Sequence, residues 1–105
     1  MAASALLAEL RERLERAYGE RLSTVVLFGS EARGQASPES DIDLLVVLKR
    51  LIGDFGEELE RSLIAVYPVS LRLGRRVSVK VLAQEEYERG DSPLLREIRR
   101  FGVAA

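Results

Sequence analysis

The sequence predicts a small α/β (α+β) fold in which helices pack on a mixed β-sheet. Three observations lead there. Apolar residues recur at three- and four-residue spacing in three segments, and run together or alternate over short β-branched stretches in three others, giving the order helix, strand, strand, helix, strand, short helix. The link from the second strand to the third is long enough for a right-handed helical crossover and parallel pairing, whereas the shorter first link permits an antiparallel pair. Finally, 105 residues, 47% hydrophobic and 31% charged, can build one domain over 1–105 but not two.

Residues 4 to 18 read as the first helix: Leu7, Leu10, Leu14 and Tyr18 share a face, and Glu9/Arg13 and Glu12/Arg16 are spaced as i,i+4 pairs. Gly19 suits its stop. Thr24-Val25-Val26-Leu27-Phe28 is a β-branched and aromatic run that ends abruptly at Gly29-Ser30, as a buried strand does. Glu31 to Ser40 is polar, with Gly34, Ser37 and Pro38 marking a loop that has room for one helical turn. A second apolar strand, Ile42 to Leu48, follows at once.

Asp54 and Glu57 make a capping-box-like start for the next helix, with Phe55, Leu59, Leu63 and Val66 as its apolar face. Pro68 is expected to end it, because the residue before a proline leaves the α region. Val69 to Leu73 then reads as an edge strand or an irregular connection. Val77, Val79 and Val81 alternate with Ser78 and Lys80 as in a half-buried strand. Asp91 or Ser92 caps a short final helix with Pro93 in its first turn and a stop at Gly102. Its stripe, Leu94, Leu95, Ile98 and Phe101, is either a lid on the core or part of an interface. Tyr18, Tyr67 and Tyr87 read as core or rim packing, and Arg75-Arg76 and Arg99-Arg100 as solvated pairs.

Composition removes whole classes of chemistry. Without cysteine or histidine there is no disulfide, thiol nucleophile, imidazole base or Cys/His zinc site, so catalysis must rest on carboxylates, hydroxyls, basic side chains, backbone amides or a hard metal ion. Sixteen Lys+Arg against 17 Asp+Glu, a net charge of −1, do not suit bulk electrostatic binding of nucleic acid. No apolar run approaches a membrane span, and Glu9, Glu12 and Glu15 interrupt any signal-peptide core, which points to a cytoplasmic protein. The preference for arginine over lysine and the absence of asparagine fit a heat-adapted (thermophile) or GC-rich source.

The informative segment is Leu27-Phe28-Gly29-Ser30-Glu31-Ala32-Arg33-Gly34, followed after six residues by Asp41-Ile42-Asp43-Leu44-Leu45-Val46-Val47. Asp41 and Asp43, at i and i+2 at the head of a strand, point to one face, and two like charges that close call for a cation. An oxygen-preferring ion such as Mg²⁺, which takes one or two carboxylates together with substrate phosphates, is the natural occupant. Gly29-Ser30, at the end of the preceding strand, lets a backbone approach an anion and offers it amide and hydroxyl donors. Beside a metal-bearing carboxylate pair, that anion is a triphosphate. Arg33, one helical turn further on, could join the phosphate contacts or pair with an Asp.

Phe28 to Val47 resembles the signature of the DNA polymerase beta superfamily of nucleotidyltransferases, and the short chain resembles its minimal branch. The resemblance is close over those twenty residues and looser elsewhere. It implies the nucleotidyltransferase fold, triphosphate binding by Gly29 and Ser30, divalent metals on Asp41 and Asp43, and attack of an acceptor hydroxyl on the α-phosphate of a nucleoside triphosphate, ATP with transfer of AMP in the leading case. It also implies a third carboxylate on a later strand. Here Ser78, or Lys80 on a two-residue shift, stands in its place. Lys80 could contact phosphate, take the missing metal's place, or extend its ammonium to solvent. Glu85 and Glu86 are expected to lie in the exposed start of a short helix.

A chain this short lacks the second domain that larger relatives use to recognise base and acceptor, so a partner or a second copy, as a homo-oligomer, must complete the site. The resemblance implies a small all-helical HEPN-type partner, a toxin that this chain would modify or sequester as antitoxin. The rival is a catalytically degenerate nucleotide-binding module that works by masking its partner.

Overall fold

The computed structural model describes residues 3–105, so the first two positions of the expected 1–105 domain lie outside it. The order is α1 (Ala3–Tyr18), a 3₁₀ turn (Gly19–Arg21), β1 (Leu22–Phe28), α2 (Gly29–Ala32), β2 (Ile42–Leu48), α3 (Phe55–Leu73), β3 (Val77–Ala83), α4 (Gln84–Arg89), α5 (Pro93–Phe101) and β4 (Val103–Ala104). The strands form one mixed sheet in the order β3-β2-β1-β4. As the link lengths predict, β1 and β2 are antiparallel, whereas β2 and β3 are parallel across the α3 crossover. The two-residue β4, which has no strand signal of its own in the sequence, pairs antiparallel with β1.

Strand alternation divides the core between the two faces of the sheet. Val25, Leu27, Ile42, Leu44, Val46, Val77 and Val81 pack under α1 and α3, and Val26, Phe28, Leu45 and Val47 pack under α5. The C-terminal stripe is therefore a lid: Leu95 and Ile98 are buried, and Leu94 and Phe101 form its exposed rim. Ser92 caps α5, accepting a hydrogen bond from Leu95 N at 3.1 Å. Glu12 pairs with Arg16 at 2.6 Å as the spacing predicts, but Glu9 turns to Arg72 of α3 rather than to Arg13.

The second long helix departs from expectation twice. Asp54 caps it, accepting from Glu57 N at 2.8 Å, yet α3 does not end at Pro68 and Val69 to Leu73 is neither strand nor loop. Proline removes the hydrogen bond to the Ile64 carbonyl, and Ile64, Tyr67 and Pro68 lie on the exposed face, where water can satisfy that oxygen. Val66 and Val69, fully buried on the other face, hold the helix in place until Gly74, at φ +62°, closes it with bonds to Leu71 O and Ser70 O.

The buried stripe of α3 is also rotated from the one its apolar residues mark. Glu58, Ser62, Val66 and Val69 face inward, while Phe55 and Leu63 are exposed. Polar groups can occupy that stripe because each finds a partner. Glu58 accepts two bonds from Arg21 (2.6 and 3.1 Å) and one from Ile52 N (3.0 Å), and the Tyr18 hydroxyl donates to Glu58 O at 2.7 Å and lies 2.7 Å from Ser62 Oγ. No helix among the described residues is long and apolar enough to cross a membrane.

Candidate functional site

The two halves of the sequence motif meet at one end of the sheet. β1 delivers Phe28 opposite Asp43 of β2, and the chain leaves Phe28 directly into the short helix α2. Gly29 makes that turn at φ +67°, a conformation that side chains with a Cβ avoid. A Cβ there would also overlap Asp43 Oδ2 and lie 3.2 Å from Asp43 Cγ. Glycine is thus required twice, once by its backbone and once by the carboxylate lying against it.

Asp43 lies within β2, with Asp41 one residue before the strand and half exposed, 4.0 Å from Arg76. Strand register completes the surroundings. Ser78 is opposite Asp43 and Lys80 is opposite Leu45, so Asp43, Ser78 and Lys80 share the face that α5 covers further along. Of the two alignments open in the sequence, the register thus puts Ser78, not Lys80, beside Asp43. Burial, and then the neighbouring Asp41 charge, push the Asp43 carboxyl above the ordinary aspartate range; Lys80 opposes the rise and Glu97 adds to it.

Arg33 does not pair with an Asp. It forms a salt bridge with Glu97 of α5, and its guanidinium lies 4.8 Å above the Phe101 ring. This ties the stretch after Gly29-Ser30 to the C-terminal helix. Glu97 is a charge near Asp43 that no spacing rule exposes, because it reaches the site only through the packing of α5. Glu85 and Glu86 are exposed in the first turn of α4, as expected.

A second tie was also invisible. Arg75, predicted to be solvated, is instead mostly buried against the buried Glu31, with Arg75 Nη2 2.5 Å from Glu31 Oε1, and its Nε donates to Ser40 O at 2.9 Å. Glu31 follows Ser30 and Ser40 precedes Asp41, so one guanidinium clamps both halves of the motif to the α3–β3 junction. The adjacent Arg76 O accepts from Ile42 N at 2.8 Å.

The donor set suits a hard divalent cation: two carboxylates, one of them held from easy ionisation by burial and then by its neighbour's charge, would be stabilised by an ion that keeps water and phosphate oxygens as further ligands. Among the described residues no group of three or more His, Cys, Asp or Glu could form a protein-only metal cage.

A family model described as the nucleotidyltransferase domain matches residues 7–101. The chain belongs to that family. A solved structure described as a "putative minimal nucleotidyltransferase" is 29% identical to this nucleotidyltransferase domain, covers 98% of this chain and 95% of its own, and superposes with a TM-score of 0.56. A toxin–antitoxin structure with AMP-PNP, 20% identical with a TM-score of 0.60, covers 90% of this chain and 68% of its own and shares the fold. A protein of Methanocaldococcus jannaschii named "Putative protein adenylyltransferase" is 44% identical over 46 residues, which span 44% of this chain and only 31% of that protein. The mixed sheet flanked by helices is the fold that the family resemblance implied.

Proposed function

We propose that this domain binds a nucleoside triphosphate, ATP in our reading, with Mg²⁺ at Gly29, Ser30, Asp41 and Asp43, and transfers AMP to a hydroxyl of a protein partner. The observation that carries the reading is the seating of Asp43 against Gly29, which joins an anion-accepting turn to a carboxylate pair that calls for a cation. Asp41 and Asp43 would hold the Mg²⁺, which supplies charge neutralisation to the triphosphate when bound. The amides and hydroxyl of Gly29-Ser30 bind and orient the phosphates. In the transfer, the acceptor oxygen bonds to the α-phosphorus, the bond from that phosphorus to the α,β-bridging oxygen breaks, and pyrophosphate leaves with the electron pair. The hydroxyl proton passes to solvent, because Ser78 beside Asp43 offers no base.

The choice of AMP is supported by the name of the adenylyltransferase relative, and that of a protein partner by the toxin–antitoxin structure. We take the partner to be a small helical HEPN-type toxin, which this chain would modify as antitoxin. Ser78 in the place of an acid favours a second reading, in which the domain binds nucleotide and masks its partner without transfer.

Amide shift mapping with ATP and Mg²⁺ tests the site, and α-labelled ATP with the partner tests the reaction. Shifts confined to residues 28 to 43 and their strand neighbours, with label on the partner, are expected. Binding without label selects the masking reading; millimolar ATP and Mg²⁺ that leave residues 28 to 43 unmoved would remove both.

A further inference from the structure

We propose that Lys80 is a built-in cation of the phosphate site, so that the site takes one divalent ion with its triphosphate and the Lys80 ammonium stands against the phosphates in place of a second. The proposal rests on the nucleotide reading above and specifies how that site is charged. Its ground is strand register. Ser78 and Lys80 alternate with the inward-facing Val77, Val79 and Val81, and therefore stand on the Asp43 face of the sheet. β3 is an outer strand and Lys80 is exposed, while its register partner Leu45 stands two residues beyond Asp43 on that face, within the reach of a four-carbon stem.

Four charged groups bear on this place: Asp41, Asp43, Lys80 and Glu97. Glu97 is engaged by Arg33, and Asp41 lies near Arg76. Lys80, by contrast, is in no salt bridge among the described residues. Two metal ions bridging one phosphoryl group sit about 4 Å apart and need carboxylates to share. Here Asp41 and Asp43 suffice for one ion, and the place a further carboxylate would fill holds a hydroxyl, with an ammonium two residues along. That ammonium repels a second cation and attracts phosphate oxygens, to which it offers three donors.

Mn²⁺ with one equivalent of AMP-PNP is the probe, and bound ions are counted by the loss of the free-Mn²⁺ electron paramagnetic resonance signal. The full chain should bind one Mn²⁺. Lys80→Ala should weaken AMP-PNP binding roughly 10- to 100-fold, the value of one charge-assisted contact. Lys80→Arg, which keeps the charge, should restore most of that affinity, whereas Lys80→Met, which keeps a long stem without the charge, should not. Ser78→Asp combined with Lys80→Ala should admit a second Mn²⁺. Two Mn²⁺ on the unmodified chain, unchanged AMP-PNP affinity in Lys80→Ala, or a single Mn²⁺ on the double variant would each overturn the proposal. All three leave the nucleotide reading standing; failure of the unmodified chain to bind AMP-PNP and Mn²⁺ at all overturns both.

Discussion

Gly29→Ala separates the two reasons for glycine at the mouth of the site. The first cost is conformational: a residue with a Cβ held at φ +67° loses about 1–2 kcal/mol relative to glycine. The second is local. The new methyl would overlap Asp43 Oδ2, but that atom is the end of a side chain, and turning the carboxylate off its rotamer costs on the order of 0.5–1.5 kcal/mol. The sum, about 2.5 kcal/mol, should lower Tm by roughly 10–20 °C for a domain of this size. Urea titration and thermal melts measure it. The effect on binding should be larger in proportion, since the displaced carboxylate is the one proposed to hold Mg²⁺, and calorimetry with Mg²⁺ and AMP-PNP should show severe loss. Asp43→Ala removes the atoms that collide, so adding Gly29→Ala to it should cost only the conformational part. If Gly29→Ala cost as much in that background as in the unmodified chain, or left AMP-PNP binding intact, the apposition of Gly29 and Asp43 would not be the basis of the site.

Three further outcomes follow from the charges. Asp43→Asn should stabilise the metal-free protein at neutral pH; because the folded carboxyl titrates above its unfolded value, its contribution falls as pH rises through the aspartate range and beyond, and urea titrations across that window should lose this fall in the variant. Glu58 behaves oppositely: Arg21 and Ile52 N hold it below the ordinary glutamate range, so its contribution is complete above that range and lost as pH falls through the folded value, and Glu58→Gln should flatten the acid limb of a stability-against-pH curve. Arg75→Ala leaves Glu31 buried without its partner and should cost about 3–5 kcal/mol in urea titration, whereas Arg76→Ala, at an exposed position, should stay within about 0.5 kcal/mol.

Much of this was legible because it is local. The alternation in β3, the caps at Asp54 and Ser92 and the Gly-Ser and Asp-x-Asp segments each depend on neighbours a few residues away. The departures share the opposite property. Pro68 is tolerated because Val66 and Val69 are buried by the sheet, which a rule about adjacent residues does not contain. Glu58 and Ser62 could turn inward only because Arg21 and Tyr18, about 40 residues earlier, meet them there. Arg33 found Glu97 rather than an Asp, and Arg75 found Glu31, by the same kind of long-range contact. The triad Asp43, Ser78 and Lys80 lies between: strand alternation gave the shared face, and only the register decided which of the two β3 residues stands opposite the acid.

The Arg75 clamp also bears on how the protein reaches its native state. Its guanidinium joins Ser40 across 35 positions of chain, so the two halves of the motif cannot be locked until α3 has formed and brought the start of β3 alongside β2. Contacts of that span close late, after the entropy of the intervening loop has been lost. A peptide carrying only residues 27–47 would hold every residue of the motif and still lack the clamp. Affinity for nucleotide should therefore emerge in refolding together with the parallel β2–β3 pairing, and not with the earlier β1–β2 hairpin.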